Sequence, residues 1–215
     1  MPALSTSTPS RAKRPASAAA PRPGGYAGQL LRVNLTTGKI WSEPWSPEDM
    51  RELIGGVGLG ARILYREVPV HVHWDHPENR LVLATGPLAG LPVWGTGGLT
   101  VVTRGAGTDG PTSTQANGFF GANLKYSGYD AVIVQGASRK WVYLHIHDDV
   151  VELRDASHLV GKDTWQTQDL LSAEYGLSGH QLSVYSIGPA GHCALRDDAE
   201  AARAPRGRAG QRPGR

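Results

Sequence analysis

Apolar and polar positions alternate in short runs along much of this chain, and the runs recur in order. Residues 30–35 (LLRVNL) and 39–44 (KIWSEP) read as two strands joined by a tight turn at Thr37-Gly38. Ser46-Pro47-Glu48-Asp49 then predicts a helix start, because a hydroxyl, a proline and two acids suit the free N–H groups there. RLVLATG follows as a third strand and runs into Gly86-Pro87-Leu88-Ala89-Gly90. The same order returns later. WVYLHIH (141–147), a turn at Asp148-Asp149, VVELRD (150–155), a helix opening at Asp163-Thr164-Trp165-Gln166 and LSVYSIG (182–188) lead into Gly188-Pro189-Ala190-Gly191. A duplicated strand, strand, helix, strand unit predicts an α+β domain of two similar β-rich halves, each with a Gly-Pro corner where a strand stops. Such corners bring bare backbone close to a ligand or to each other.

The segment between the repeats is rich in glycine and polar residues. Residues 99–103 form a β-branched run, 118–126 carry a short helical pattern, and AVIVQG from Ala131 reads as a strand. Thr112, Ser113, Thr114, Gln115 and Asn117 precede the helix start, and the free backbone N–H groups of such a start can hold an anion or a polar heterocycle. A plain loop with a Ser/Thr/Asn cap is the alternative on pattern alone.

Charge changes the picture at the ends. Of 215 residues, 1–25 carry four basic side chains and no acid, with almost no large apolar residue, and 196–215 carry six basic and three acidic ones. Both read as disordered, because they bury too little surface to offset ordering entropy. The net charge is +3, so residues 26–195 hold −4. A basic total that lives in the tails argues against specific nucleic-acid binding by the folded part. No run of ~18 apolar residues exists to span a membrane, and no signal-peptide core is visible. The single cysteine, Cys193, forms no internal disulfide, zinc site or iron-sulfur site by itself, and a cytoplasmic location is the expectation.

Other constellations read as scaffold. Gly55-Gly-Val-Gly-Leu-Gly60 lacks the preceding strand and the G-x-G-x-x-G spacing of a dinucleotide fingerprint, so close packing or a helix break is expected. His71, His73, Asp75 and His76, between prolines, read as an exposed loop rather than a metal cluster. His145 and His147 share a strand face beside a turn. Glu67, Asp75, Asp130 and Asp169 show no spacing that marks an acid/base pair, and no nucleophile-base arrangement appears.

Taken in series, residues 29–38, 55–64, 78–79, 81–88, 99–104, 117–130, 154–159, 161–164 and 187–191 resemble the N-terminal domain of the aldehyde ferredoxin oxidoreductase family. The likeness covers residues 26–191. It implies two pseudo-symmetric β-rich halves forming a base for a tungsten or molybdenum bis-pterin cofactor. The family's pterin contacts, carried onto this chain, fall at Gly97 and Gly98 and at Gln115, Ala116, Asn117 and Gly118. Well-known members have an arginine where Gly98 stands and often an asparagine where Gln115 stands. The resemblance also implies a 4Fe-4S cluster, a ferredoxin or other iron-sulfur carrier as partner, and a possible homodimer, all in the complete protein. Later helical domains supply the cluster cysteines and the acid/base groups in that family. Their absence here, with the Arg/Ala/Pro/Gly tail, leads us to expect a truncated or frameshifted product that is inactive alone. A binding module without cofactor is the second expectation.

Overall fold

The structure, a computed structural model, describes residues 24–148 and 150–189. Residues 1–23 of the expected leader, the tail after residue 195 and Cys193 lie outside the described residues. Two compact units meet between His158 and Leu159.

The first unit is built on a six-stranded mixed sheet in the order β2-β1-β6-β3-β4-β5. Its strands are β1 (Gln29–Asn34), β2 (Lys39–Pro44), β3 (Arg80–Ala84), β4 (Gly98–Arg104), β5 (Pro111–Asn117) and β6 (Ala131–Gln135). β1 and β6 run parallel, with Leu31 opposite Val132, and every other pair is antiparallel. Side chains alternate across the sheet, so each strand feeds two cores. Leu30, Val82, Val102 and Ile133 meet Trp45, Met50, Leu59, Ile63 and Leu64 on one side. Leu31, Val33, Leu83, Leu99, Val101 and Val132 meet Leu124, Tyr129 and Val151 on the other.

Helices α1 (Pro47–Leu53) and α2 (Gly56–Glu67) cover the first face. Ser46 caps α1 by accepting from Asp49 N–H at 3.0 Å, as the sequence predicts. The break between the helices falls at Ile54 and Gly55, where φ is 60° and 138°. Gly60 lets α2 lie against β4, for a Cβ there would sit 2.5 Å from Val102 Cβ. Both expectations for the glycine run, a break and close packing, are met. Each of Leu59, Ile63 and Leu64 contributes about 1.5–3 kcal/mol by burial.

On the second face lie α3 (Phe120–Tyr126) and a separate antiparallel pair, β7 (Val142–His147) with β8 (Val150–Asp155). Val151 is buried in the second core, with Leu144, Ile146 and Leu153 packed against it. The second unit contains α4 (Thr164–Tyr175), whose Asp163 and Gln166 form a reciprocal capping box and whose end turns on Gly176 at φ 63°.

Two local expectations fail. Residues 182–188 form no strand, and β7 and β8 stay outside the large sheet, so the second repeat reproduces the first only through its hairpin and helix. Residues 112–117 are a strand, not a loop. Their missing apolar alternation has a physical cause: β5 is an edge strand exposed on both faces, so no burial imposes a period.

Candidate cofactor site

Gly97, Gly98, Gln115, Ala116, Asn117 and Gly118 come together at one end of the β4–β5 ribbon. Gly98 pairs with Asn117, Leu99 with Ala116 and Thr100 with Gln115. Gly118 N–H donates to Gly97 O at 3.0 Å, and at the far end Gly105 N–H donates to Gly110 O at 2.9 Å. These two bonds set the phase of the ladder, in which bonded and non-bonded pairs alternate. Thr112, Thr114 and Ala116 therefore turn their backbone groups toward β4. Pro111, Ser113, Gln115 and Asn117 turn theirs outward, along the open edge of the sheet, and Pro111 has no N–H to leave there.

The glycines divide into two kinds. A Cβ on Gly97 would meet Gly118 O at 2.7 Å, and one on Gly121 would meet Gly98 O at 2.9 Å, so these two serve close packing of the chain on itself. Gly98 and Gly118 face open space, with nothing nearer than Asn117 Oδ1 at 3.9 Å for Gly98 and nothing within 4 Å for Gly118, whose φ is 150°. A flat polar heterocycle fits this arrangement. The outward carbonyls and N–H groups offer alternating acceptors and donors, Gln115 and Asn117 add amide side chains, and the two open glycines leave room for close approach.

A buried network not legible in the sequence lies at the same end of the sheet. Thr85, almost wholly buried, donates its hydroxyl to Asp130 O at 2.8 Å and its N–H to the same atom at 3.0 Å. Asp130 is 0% exposed; its carboxylate accepts Ala27 N–H at 3.0 Å and Gly28 N–H at 2.6 Å and pairs with Lys125. An acid directly before an apolar strand was the one available signal. A second network closes the opposite end of the sheet, where Arg32 bonds Glu43 at 2.9 Å and Glu67 at 2.6 and 2.8 Å, and Arg80 bonds Glu67 at 3.0 Å. Burial pushes the Glu67 carboxyl up, but its bonds from Arg32 and Arg80 outweigh this and hold it below its ordinary value.

The histidines stay apart from the ribbon end. His73 Nδ1 shares a hydrogen bond with Asp109 at 2.7 Å, and Trp74 N–H donates to the same carboxylate at 2.9 Å. Those bonds, the His73 one first, lower the Asp109 carboxyl. His71, His73, Asp75 and His76 are exposed, as expected of a loop. The rings of His145 and His147 stack with centroids 6.3 Å apart. Among the described residues no three His, Cys, Asp or Glu side chains group to hold a metal ion, and no helix is long and apolar enough to cross a membrane. An apolar rim flanks the ribbon end in sequence: Leu88, Val93, Phe119 and Tyr126 are exposed, and Trp94 is fully so.

Comparison with known proteins gives a consistent result. The pattern of the aldehyde ferredoxin oxidoreductase N-terminal domain matches residues 30–210. The tungsten-containing aldehyde ferredoxin oxidoreductase of Thermococcus kodakarensis is 41% identical over 167 residues, which is 78% of this chain and 27% of that protein. An aliphatic sulfonate oxidoreductase, WOR-like subunit, of Pyrococcus furiosus is 36% identical over 140 residues, covering 63% of this chain and 22% of the relative. Among solved structures, the active site complex BamBC of benzoyl coenzyme A reductase, in complex with 1,5 dienoyl-CoA, matches with a TM-score of 0.69 and 38% identity over 71% of this chain and 23% of that one. The chain thus spans about a quarter of the length of the curated relatives it matches.

Proposed function

The chain belongs to the aldehyde ferredoxin oxidoreductase family through its N-terminal domain, and on that premise we propose that it forms one wall of a tungsten- or molybdenum-pterin site in an oxidoreductase acting on aldehydes or related carbonyl compounds. The observation that carries this reading is the convergence of Gly97, Gly98 and Gln115 to Gly118 on a strand edge whose outward backbone groups have no partner among the described residues. The relatives add a second support. Their names cite an aldehyde oxidoreductase, an aliphatic sulfonate oxidoreductase and a benzoyl-CoA reductase, so the stretch they share with this chain suits a common cofactor role better than the choice of one substrate.

A metal held by two pterins supplies two-electron redox chemistry when bound. This chain's part is binding and orientation. The outward N–H groups of Ser113, Gln115 and Asn117 donate, the carbonyls of the same residues accept, and the Gln115 and Asn117 amides complete the polar edge. Gly98 and Gly118 admit the ring system, and Thr85 lies behind the turn, its Cγ2 3.5 Å from the Cβ position of Gly121. The 4Fe-4S cluster, the ferredoxin or related carrier, a homodimeric assembly and a cytoplasmic location belong to the complete protein in this reading. One cysteine in the chain cannot supply four thiolates.

A binding module without cofactor is the second reading, favoured by the exposed Leu88, Val93, Trp94 and Phe119. One exchange separates the two. Residues 26–189 put in place of the matching segment of the Thermococcus kodakarensis relative should give a protein that still carries tungsten and pterin. A folded exchange protein lacking both would favour the module.

A further inference from the structure

The N-terminus of α2 is built unlike an ordinary helix start. α1 and α4 begin on side-chain caps, from Ser46 and Asp163, whereas α2 begins on Gly55, which has no side chain to offer. Gly56 N–H donates to Thr85 O at 3.0 Å and Leu59 N–H to Gly55 O at 3.3 Å. Between them the N–H groups of Val57 and Gly58 have no acceptor among the described residues. Val57 is exposed and Gly55, Gly56 and Gly58 are half-buried, so solvent reaches the helix end.

A hydroxyl on a largely buried residue faces the same point. Thr100 is 9% exposed, and its hydroxyl has no hydrogen-bond partner among the described residues. It is turned toward the helix start, since a Cβ built on Gly56 would lie 3.2 Å from Thr100 Oγ1. No residue of 54–59, 85–89, 97–100 or 113–122 is charged, so no carboxylate among these segments opposes an anion. We propose that the first turn of α2 and the Thr100 hydroxyl together form an oxyanion site, taking inorganic phosphate or a phosphate monoester. Two free N–H groups, the positive end of a 12-residue helix and one hydroxyl supply three donors to phosphate oxygens. Glycine at 56 keeps the space between Thr100 and the helix open.

Thr100 is the cross-strand partner of Gln115, on the same face of the sheet, so the site adjoins the strand assigned to the cofactor. Where a phosphorylated pterin is the source of the phosphate, the inference rests on that cofactor reading; the oxyanion site itself does not.

The test is a titration of the 215-residue chain with sodium phosphate at constant ionic strength, followed by amide NMR, with chloride as the reference. Saturable shifts at Val57 and Gly58 are expected. Thr100→Val should weaken binding about tenfold, or ~1.4 kcal/mol, the size of one hydrogen bond to a charged group, and Thr100→Ser should restore it to within about twofold. Absence of saturable shifts, shifts confined to the basic residues of 1–25 and 196–215, or undiminished binding in a natively folded Thr100→Val chain would each overturn the proposal. Should Thr100→Val not fold, the location of the wild-type shifts still decides. Phenyl phosphate binding tighter than inorganic phosphate supports an organic monoester as the ligand, and the reverse order supports free phosphate. No metal or pterin enters this titration, so its failure leaves the cofactor reading standing.

Discussion

Asp130→Ala is the substitution whose cost the structure defines best. It removes a carboxylate that is 0% exposed and that three donors share: the N–H groups of Ala27 and Gly28, and the Lys125 ammonium, whose side chain is 10% exposed. Breaking a buried pair from one side costs about 3–5 kcal/mol, and each orphaned backbone donor costs about 1–3 kcal/mol where water cannot reach it. The terms overlap, because Lys125 keeps its place over the Tyr26 ring, 5.5 Å from the centroid, and Ala27 is partly exposed. We therefore expect a total of about 3–5 kcal/mol, against the roughly 5–15 kcal/mol that stabilises an ordinary domain. Thermal melting should fall by about 6–20 °C, given ~2–4 °C per kcal/mol at this size. Tyr26 reports the cause, since its hydroxyl donates to Ile54 O at 2.9 Å and its ring meets Trp45 edge-on at 5.2 Å. Loss of the clamp on Ala27 and Gly28 should loosen that contact and change Trp45 fluorescence. A chemical-denaturation series giving less than ~1 kcal/mol for Asp130→Ala would refute the reasoning, because one unremarkable surface contact would account for it.

The other predictions concern the opposite end of the sheet, the helix packing and the single thiol. Glu67→Gln should destabilise the chain near neutral pH by about 1–3 kcal/mol, since Arg32 and Arg80 lose their anion. Because the folded-state pKa of Glu67 is lowered from 4.5, its contribution is present above that value and disappears as pH falls through the lowered one; an acid titration of stability should be shallower in Glu67→Gln. Gly60→Val should cost about 1–3 kcal/mol by overpacking against Val102, and Val102→Ala should recover part of it in a double-mutant cycle. The isolated chain, purified anaerobically, should show no 4Fe-4S absorbance and no aldehyde oxidation with a viologen acceptor, since Cys193 is its one thiol. Stoichiometric iron and sulfide would contradict that.

Legibility in the sequence followed burial. β1, β3, β4 and β6 were readable because buried strands show apolar runs, and α1 and α4 because Ser46 and Asp163 announce their caps. β5 was not, since an edge strand exposed on both faces carries no hydrophobic period, and TSTQAN reads as a loop. LSVYSIG shows the reverse error: its alternation suits a strand, yet residues 182–188 join no ladder in the described structure. The candidate residues 97–98 and 115–118 came from resemblance, and their meeting at one ribbon end became visible only through the β4–β5 register. Thr85 and Thr100 were invisible as members of a site, and Asp130 as a buried clamp, because their roles depend on which helix end or loop lies over them. Gly55 to Gly60 was legible despite its superficial likeness to a nucleotide motif, because the missing strand and spacing left the helix break and close helix-sheet contact that the structure has.

The central claim, that the outward edge of β5 faces the cofactor, is tested most directly by Gln115→Pro in the Thermococcus kodakarensis exchange protein, with tungsten and pterin content as the readout. The N–H of Gln115 points away from β4, so proline leaves the β4–β5 ladder intact while deleting the outward donor, as Pro111 already does four residues earlier. The expected outcome is a folded protein with tungsten and pterin both below about a tenth of the parent, a loss of roughly 1.4 kcal/mol or more, while His73→Ala and His145→Ala retain both. Full metal and pterin in Gln115→Pro, or their loss in either histidine variant, would contradict it.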